Sequence, residues 1–477
     1  MAERYDVVVV GSGPNGLAAA VTLAQAGLSV HVIEGAATVG GGMRTAELTL
    51  PGFAHDLCAA VHPMAALSPL FRRLELKKHD LRWLYPEYSV AHPLPDQPAV
   101  LLARDLDHTA AGLSRDARAW RRLFSPLVDR VHALMADTLG PIGIPKAPRP
   151  FLWFGLHGLW PASWFARAYF REERARALFA GCAAHAIAPF EKFFTSAMGL
   201  VFALSGHAVD WPVAKGGSQS IAQALVRCLQ SAGGSIQTTT PVRELRELPG
   251  ARAYVLDLAP KHVARIAHDQ LPAGYRKRLL RYRYGPGVFK LDWALNARIP
   301  WRDAECARAS TVHVGGQLAE IARAERQIWY GQVPERPFVL VAQQSHFDTT
   351  RAPAGKHTGY AYAHVPHACS VDMTDAIETQ IERYAPGFRD TIEARTVHAP
   401  AALERHNPNL VGGVVTGGAN DLTQLFTRPV VRLRPYTTPN PRIFLCSAST
   451  PPGGGVHGMN GYHAARAVLR HLRARRA

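Results

Sequence analysis

A β-branched run from Tyr5 to Val10, leading straight into Gly11-Ser12-Gly13-Pro14-Asn15-Gly16, constrains this chain more than any other feature. Apolar on both faces, the run reads as a strand buried within a parallel sheet, and the glycines after it aim the strand into a turn. Next comes LAAAVTLAQAGLSV, where Leu17, Val21 and Leu23 fit the buried side of a helix ending near Gly27. VHVIE then supplies a second strand that ends on Glu34. A bare GxGxxG among 40 glycines would say little. Strand, turn, helix, strand and terminal acid together describe a dinucleotide-binding unit. In such a unit Gly11 permits the tight turn, Gly13 leaves room for a pyrophosphate, Gly16 lets helix and strand approach, and the helix N-terminus faces the phosphates. Glu34 stands near the offset of roughly 20 residues at which a carboxylate accepts hydrogen bonds from an adenosine ribose.

The continuation separates FAD from a nicotinamide. After Glu34 the chain reads GAATVGGGMRT, a second glycine turn at Gly40, Gly41 and Gly42 followed by Met43 and a cation, Arg44, placed to approach a pyrophosphate. This pattern resembles the extended FAD fingerprint of the flavoprotein superfamily that contains phytoene desaturases and flavin-containing amine oxidases. Two further regions carry the same resemblance. Trp211 to Leu248 reads as glycine turn, amphipathic helix, glycine break and strand, similar to the segment that returns to the FAD domain; there Val242 takes the position whose backbone pairs with adenine. The family's usual hairpin is cut short after Leu248, where ELPGARAYVLDLAP runs almost directly into the next strand. Arg442 to Leu469 runs from a strand through a glycine loop into an Ala-rich helix, similar to the C-terminal loop that wraps the flavin. A second nicotinamide site on Gly453, Gly455 and Gly458 fails on context, because Ser449 to Pro452 breaks the strand-to-turn geometry and no acid-bearing strand follows.

The resemblance implies an α/β fold, an interrupted Rossmann-like FAD-binding domain (1–103, 207–285 and 430–477) with an inserted substrate domain (104–206 and 286–429). Helical patterns dominate the first inserted piece. GVFKLDWAL, FVLVAQQS, TGYAYAHV and IEARTVHA in the second suggest an antiparallel sheet. Around FAD the resemblance places Gly11, Gly13, Pro14, Asn15, Gly16, Glu34, Gly41, Gly42, Met43, Arg44 and Val242, and from the C-terminal loop Gly454, Gly455, Val456 and His457.

Two residues are candidates for chemistry. Lys290 is a charged side chain in an otherwise apolar strand, within a string similar to the amine-oxidase segment whose lysine reaches flavin N5 through a water. A desolvated lysine there would position water or receive a proton; alternatively it snorkels from a sheet edge, or pairs with Asp292 two residues on. His457 would contact flavin or substrate, or else hydrogen-bond within its own loop. His62 and Tyr360 are weaker candidates. No GxSxG elbow follows a strand, which argues against a serine hydrolase.

Composition excludes several classes. With 477 residues, 47% hydrophobic and 19% charged, the chain lies in the globular range. Its net charge of +17 comes from arginines spread along the sequence rather than from a basic block with interleaved aromatics, so no nucleic-acid partner is expected. Six scattered cysteines form no CxxC pair and no histidine cluster has zinc spacing, so no metal is expected and a reducing cytoplasm is the natural setting. The N-terminus lacks the pattern of an export signal, and the longest apolar run, Ser196 to Gly206, falls short of the roughly 18 residues of a spanning helix. Trp153, Trp160 and Trp164, followed by Arg167, Arg171 and Arg174, read as a peripheral membrane contact, as the lid of an apolar tunnel, or as a core helix pair broken at Pro161.

The expectation is an FAD-dependent oxidoreductase taking two electrons as hydride from an apolar small molecule, with oxygen, a quinone or a nicotinamide as acceptor. A flavin amine oxidase is the enzymatic alternative. A catalytically silent FAD-binding interaction protein is the alternative of another class.

Overall fold

The computed structural model describes residues 4–141 and 143–474. Tyr5–Val10 lies at the centre of a five-stranded sheet in the order 443–445, 251–256, 5–10, 30–33, 235–237, with every pairing parallel. Val7, Val8 and Val9 are wholly buried because helices cover both faces, which is why the run is apolar throughout rather than alternating. The helix Pro14–Ala24 packs against the helix Met459–Ala474, and their contact is made of small residues. A Cβ on Gly461 would sit 1.9 Å from the Asn15 carbonyl oxygen, so no other residue fits there without parting the helices.

A seven-stranded sheet forms the second wall. Its order is 392–398, 287–295, 357–365, 339–342, 309–314, 88–94, 97–102, antiparallel except where 309–314 runs alongside 88–94. The four strand-like runs read from the sequence all belong to it. The expected boundary at 103 counted residues 88–102 with the nucleotide unit, and here the structure differs. The hairpin Tyr88–Leu94 and Gln97–Leu102 closes the edge of the seven-stranded sheet, since Val90 and Ala91 pair with Thr311 and Val312. Its first strand is buried along its whole length, which only pairing inside a covered sheet permits. Helices between 106 and 209 cap this sheet, and they share one continuous core with the nucleotide unit, from Val7 and Leu17 through Trp120 to Phe179.

A buried ionic knot ties the two sheets together. The short hairpin Thr45–Glu47 and Ala54–Asp56 follows the second glycine turn. Asp56 accepts from Arg351 Nη2 at 2.9 Å, from the Ser218 N–H at 2.8 Å and from the Thr45 hydroxyl at 2.7 Å, while Arg351 Nε reaches Asp348 at 2.9 Å. Burial works against charge on Asp56, yet the Arg351 guanidinium and these donors hold its carboxyl below the ordinary range.

Candidate active site

One cavity of about 670 Å³ lies between the sheets and runs from the glycine turns to the face of the seven-stranded sheet. Its first half is built almost entirely by backbone. Gly11, at φ +98°, turns the strand into the helix, and a Cβ on Gly16 would stand 2.0 Å from the Gly11 carbonyl oxygen. The second glycine turn backs onto the first: the Gly40 N–H donates to the Ser12 carbonyl at 3.0 Å, and a Cβ on Gly41 would approach the Gly13 Cα to 3.0 Å. Pro14 and Asn15 open the helix on the cavity wall, and the buried Asn15 Oδ1 has no partner among the described residues.

Glu34 lines the cavity at the end of its strand. Its Oε2 accepts from the Ser12 N–H and hydroxyl at 2.9 and 2.6 Å, while its Oε1 accepts from the Ala36 N–H at 2.9 Å and Arg44 Nη2 at 3.3 Å. Arg44 is thus fixed over the same groove, with Nε donating to the Thr38 carbonyl at 3.1 Å. Val242 lines the cavity beside Thr240 and Pro241, and Gly42, Gly455 and Val456 line it further along. Met43 lies in the core and Gly454 outside the lining. Gly16 also stays off the cavity, because its N–H donates to Asp257 Oδ2 at 2.9 Å.

Asp257 is a residue that motif reading missed. It follows the strand Ala251–Leu256, directly beneath the turn, and a Cβ on Gly13 would meet its Oδ2 at 2.7 Å. Burial, with Glu34 adding repulsion, pushes its carboxyl up to about 7 against the Gly16 hydrogen bond. The signal available in the sequence was an acid directly after a strand of the parallel sheet.

His457 takes the second of its two readings, a hydrogen bond within its own loop. It is buried and outside the cavity lining: its Nδ1 accepts the Met459 N–H at 3.1 Å, and its carbonyl accepts the Ser68 hydroxyl at 2.6 Å. Burial lowers its pKa to about 4, so the ring is neutral and satisfies an orphan donor at the start of the last helix. The glycine loop itself hangs from Asn460, whose Nδ2 lies within hydrogen-bond reach of the Ser447, Thr450 and Gly453 carbonyls at 2.8–3.2 Å.

The second half of the cavity is built by side chains. Lys290 stands in the all-buried strand Gly287–Leu295, which is paired on both sides and so is no sheet edge. Its Nζ is ion-paired with Asp292 and sits 4.5 Å from the centre of the Tyr360 ring. Asp292 in turn lies 3.5 Å from His55 Nδ1 and 3.4 Å from His398 Nε2. Burial opposes its charge, but Lys290 and the histidines hold its carboxyl below the ordinary range. The Tyr360 hydroxyl donates to the Cys58 carbonyl at 2.5 Å. His62 also lines the cavity, with Nε2 2.8 Å from the Ser218 hydroxyl; burial brings its pKa down to about 4.

The glycine cradle, the helix start with an unsatisfied Asn15 oxygen, and the Glu34–Arg44 pair fit the nucleotide portion of FAD, and the chain is an FAD-dependent oxidoreductase. Residues 9–74 match the model of the NAD(P)-binding Rossmann-like domain. The rat protein called pyridine nucleotide-disulfide oxidoreductase domain-containing protein 2 is 26% identical over 98% of this chain and 94% of its own length. Hydroxyneurosporene desaturase of Cereibacter sphaeroides is 26% identical over 98% of both chains. A solved putrescine oxidase shares the fold with a TM-score of 0.63 and 17% identity, covering 99% of each chain. In sequence the chain is similar to carotenoid desaturases along nearly its whole length, and in fold it is similar to flavin amine oxidases.

Proposed function

We propose that this protein dehydrogenates an elongated, uncharged, apolar small molecule, and that oxygen, a quinone or a nicotinamide then reoxidises the cofactor. The observation that carries the substrate class is the position of Lys290. Its Nζ occupies a face of Tyr360 on which an organic cation would otherwise rest, and the carboxylates on the cavity, Glu34 and Asp257, both stand back at the glycine turns. Beyond those turns the wall is Leu57, Val61, Met64, Phe202, Trp211 and Leu340, which suits hydrocarbon and offers an ammonium no counter-charge. The name of the Cereibacter relative supports carbon–carbon oxidation. The putrescine oxidase fold supports amine oxidation as the second reading.

FAD, when bound, would supply the two-electron acceptor for this oxidation. Gly13, Asn15, Glu34, Arg44 and Val242 would hold its nucleotide end, while Gly42, Gly455 and Val456 border the passage to the second half. Lys290 Nζ, fixed by Asp292 in a strand paired on both sides, is placed to orient a water that takes the proton leaving the substrate. The apolar wall keeps bulk water from the reacting carbon.

The visible spectrum of the purified protein, followed under anaerobic addition of polyene precursors and of an amine panel, tests this reading. Bleaching by the polyene class with a conjugated product is expected, slowed at least 100-fold in Lys290→Ala. Ammonia or an aldehyde formed from amines would establish the second reading. Bound FAD that no substrate bleaches, with Lys290→Ala indistinguishable from wild type, would make the protein a silent flavin-binding partner. Failure to bind FAD after reconstitution would overturn the assignment.

Such a substrate partitions into lipid, and the tryptophan segment offers a peripheral contact. Of the helix pair Pro148–Gly158 and Ala162–Tyr169, Trp153 packs inward with its indole N–H on the Leu123 carbonyl at 3.1 Å. Leu152, Leu156, Trp160 and Trp164 are exposed beside Arg149, Arg167 and Arg171. Among the described residues no helix is long and apolar enough to cross a membrane. A cytoplasmic protein resting on an anionic leaflet accounts for both features, and cosedimentation with anionic but not neutral vesicles would show it. None of this surface calls for a nucleic-acid partner.

A further inference from the structure

Lys290, Tyr362, Leu340 and His313 pair in register across four neighbouring strands, so they share one face of the sheet. Three strand spacings separate Lys290 from His313, roughly 14 Å. At that far end the apolar wall gives way to a group of polar side chains. His185, on the turn Ala184–Ala186, lines the cavity with its ring stacked 4.0 Å on Phe202, and its Nε2 lies 3.4 Å from His313 Nε2. Thr311, two residues before His313 and on the same face, also lines the cavity, and its buried hydroxyl has no partner among the described residues. Burial drives the pKa of His185 down to about 3 and that of His313 well below the ordinary value, so both rings are neutral, each with one donor and one acceptor nitrogen. Unpaired buried polar groups at the end of an apolar pocket are costly unless a ligand satisfies them.

We propose that this end of the cavity receives the oxygen atom, hydroxyl or carbonyl, of an otherwise hydrocarbon substrate, with the His185 ring and the Thr311 hydroxyl as its hydrogen-bond partners. This rests on the oxidoreductase reading above and sharpens it: the substrate is an oxygenated apolar chain whose polar end lies across the sheet from the carbons oxidised beside Lys290. His313 positions His185, because whichever proton passes between their Nε2 atoms decides whether His185 Nδ1 donates or accepts. Thr311 offers a second contact for the same oxygen.

The test is binding to the FAD-loaded protein, read from perturbation of its visible spectrum during titration with farnesol and with farnesene, which differ by the terminal hydroxyl. Wild type is expected to bind the alcohol at least tenfold more tightly. His185→Phe, which keeps the stack on Phe202, should bind the two equally, and His185→Gln should recover most of the preference. Equal binding by wild type, no binding of the alcohol, or a preference that persists in His185→Phe would each overturn the proposal. Turnover is read separately. A protein that prefers the alcohol yet is bleached by no polyene would lose the dehydrogenase reading while the polar end of the cavity stood.

Discussion

The two halves of the cavity are made from different material. Around the glycine turns most contacts come from backbone: Gly11 and Gly16 pack carbonyl against Cα, the Glu34–Arg44 pair is tied within ten residues, and Asp257 is the one acid brought in from a distant segment. Across the seven-stranded sheet the contacts come from side chains gathered from distant segments, as when Asp292 meets His55 and His398. Backbone geometry tolerates almost no change of residue. Side-chain geometry tolerates many, so the same frame can serve different substrates.

Gly16→Val should break the contrast most completely. With a Cβ already placed 2.0 Å from a carbonyl oxygen, strand and helix cannot approach, and we expect protein purified without flavin, shown by the absence of visible absorbance. Next comes the knot between the halves. Arg351→Ala leaves Asp56 and Asp348 buried without a counter-charge, which should cost about 3–5 kcal/mol in denaturant unfolding. A loss below about 1 kcal/mol would mean that the two sheets are held by their shared core alone.

Asp257 sharpens the comparison through pH. Its folded value of about 7 lies above its unfolded value of 3.8, so its contribution to stability is complete below about 4 and is lost as pH rises through about 7. Asp257→Asn cannot titrate there. The variant's melting temperature relative to wild type should therefore rise by about 2–4 °C between pH 5 and pH 8 in the flavin-free protein. A pH-independent difference would show that this carboxyl is ionised in the fold. The smallest effect is expected at His457. As a cap on the last helix, His457→Ala should lower stability by about 1 kcal/mol and leave the rate of flavin reduction unchanged. A large loss of reduction rate at unchanged flavin content would return the residue to the site.

What could be read from the sequence follows the same division. A nucleotide cradle made of backbone is written locally, as spacings between glycines and the β-branched run before them, so Gly11, Gly16 and Glu34 could be placed by counting. The strands 287–295 and 357–365 were visible for the same reason. His185 and His313 were not, because they lie 128 positions apart on a turn and a strand that carry no shared pattern. The place of the hairpin 88–102 in the seven-stranded sheet was not legible either, since its partner strand begins at Ala309 and long-range pairing leaves no local trace. His457 kept two readings in the sequence for a subtler reason: a position within the glycine loop says where the backbone goes, whereas the hydrogen bond of the ring depends on the N–H at Met459.

The contact between Gly461 and Asn15 carries a consequence for how the molecule comes into being. The opening turn of the nucleotide cradle is braced by a helix that the ribosome delivers more than 440 residues later, after all four of the central sheet's other strands. A nascent chain carrying the complete first fingerprint therefore lacks the brace that keeps that fingerprint in shape. Flavin should be captured only once the last helix has emerged, so a stalled or truncated chain ending before Met459 would be released empty.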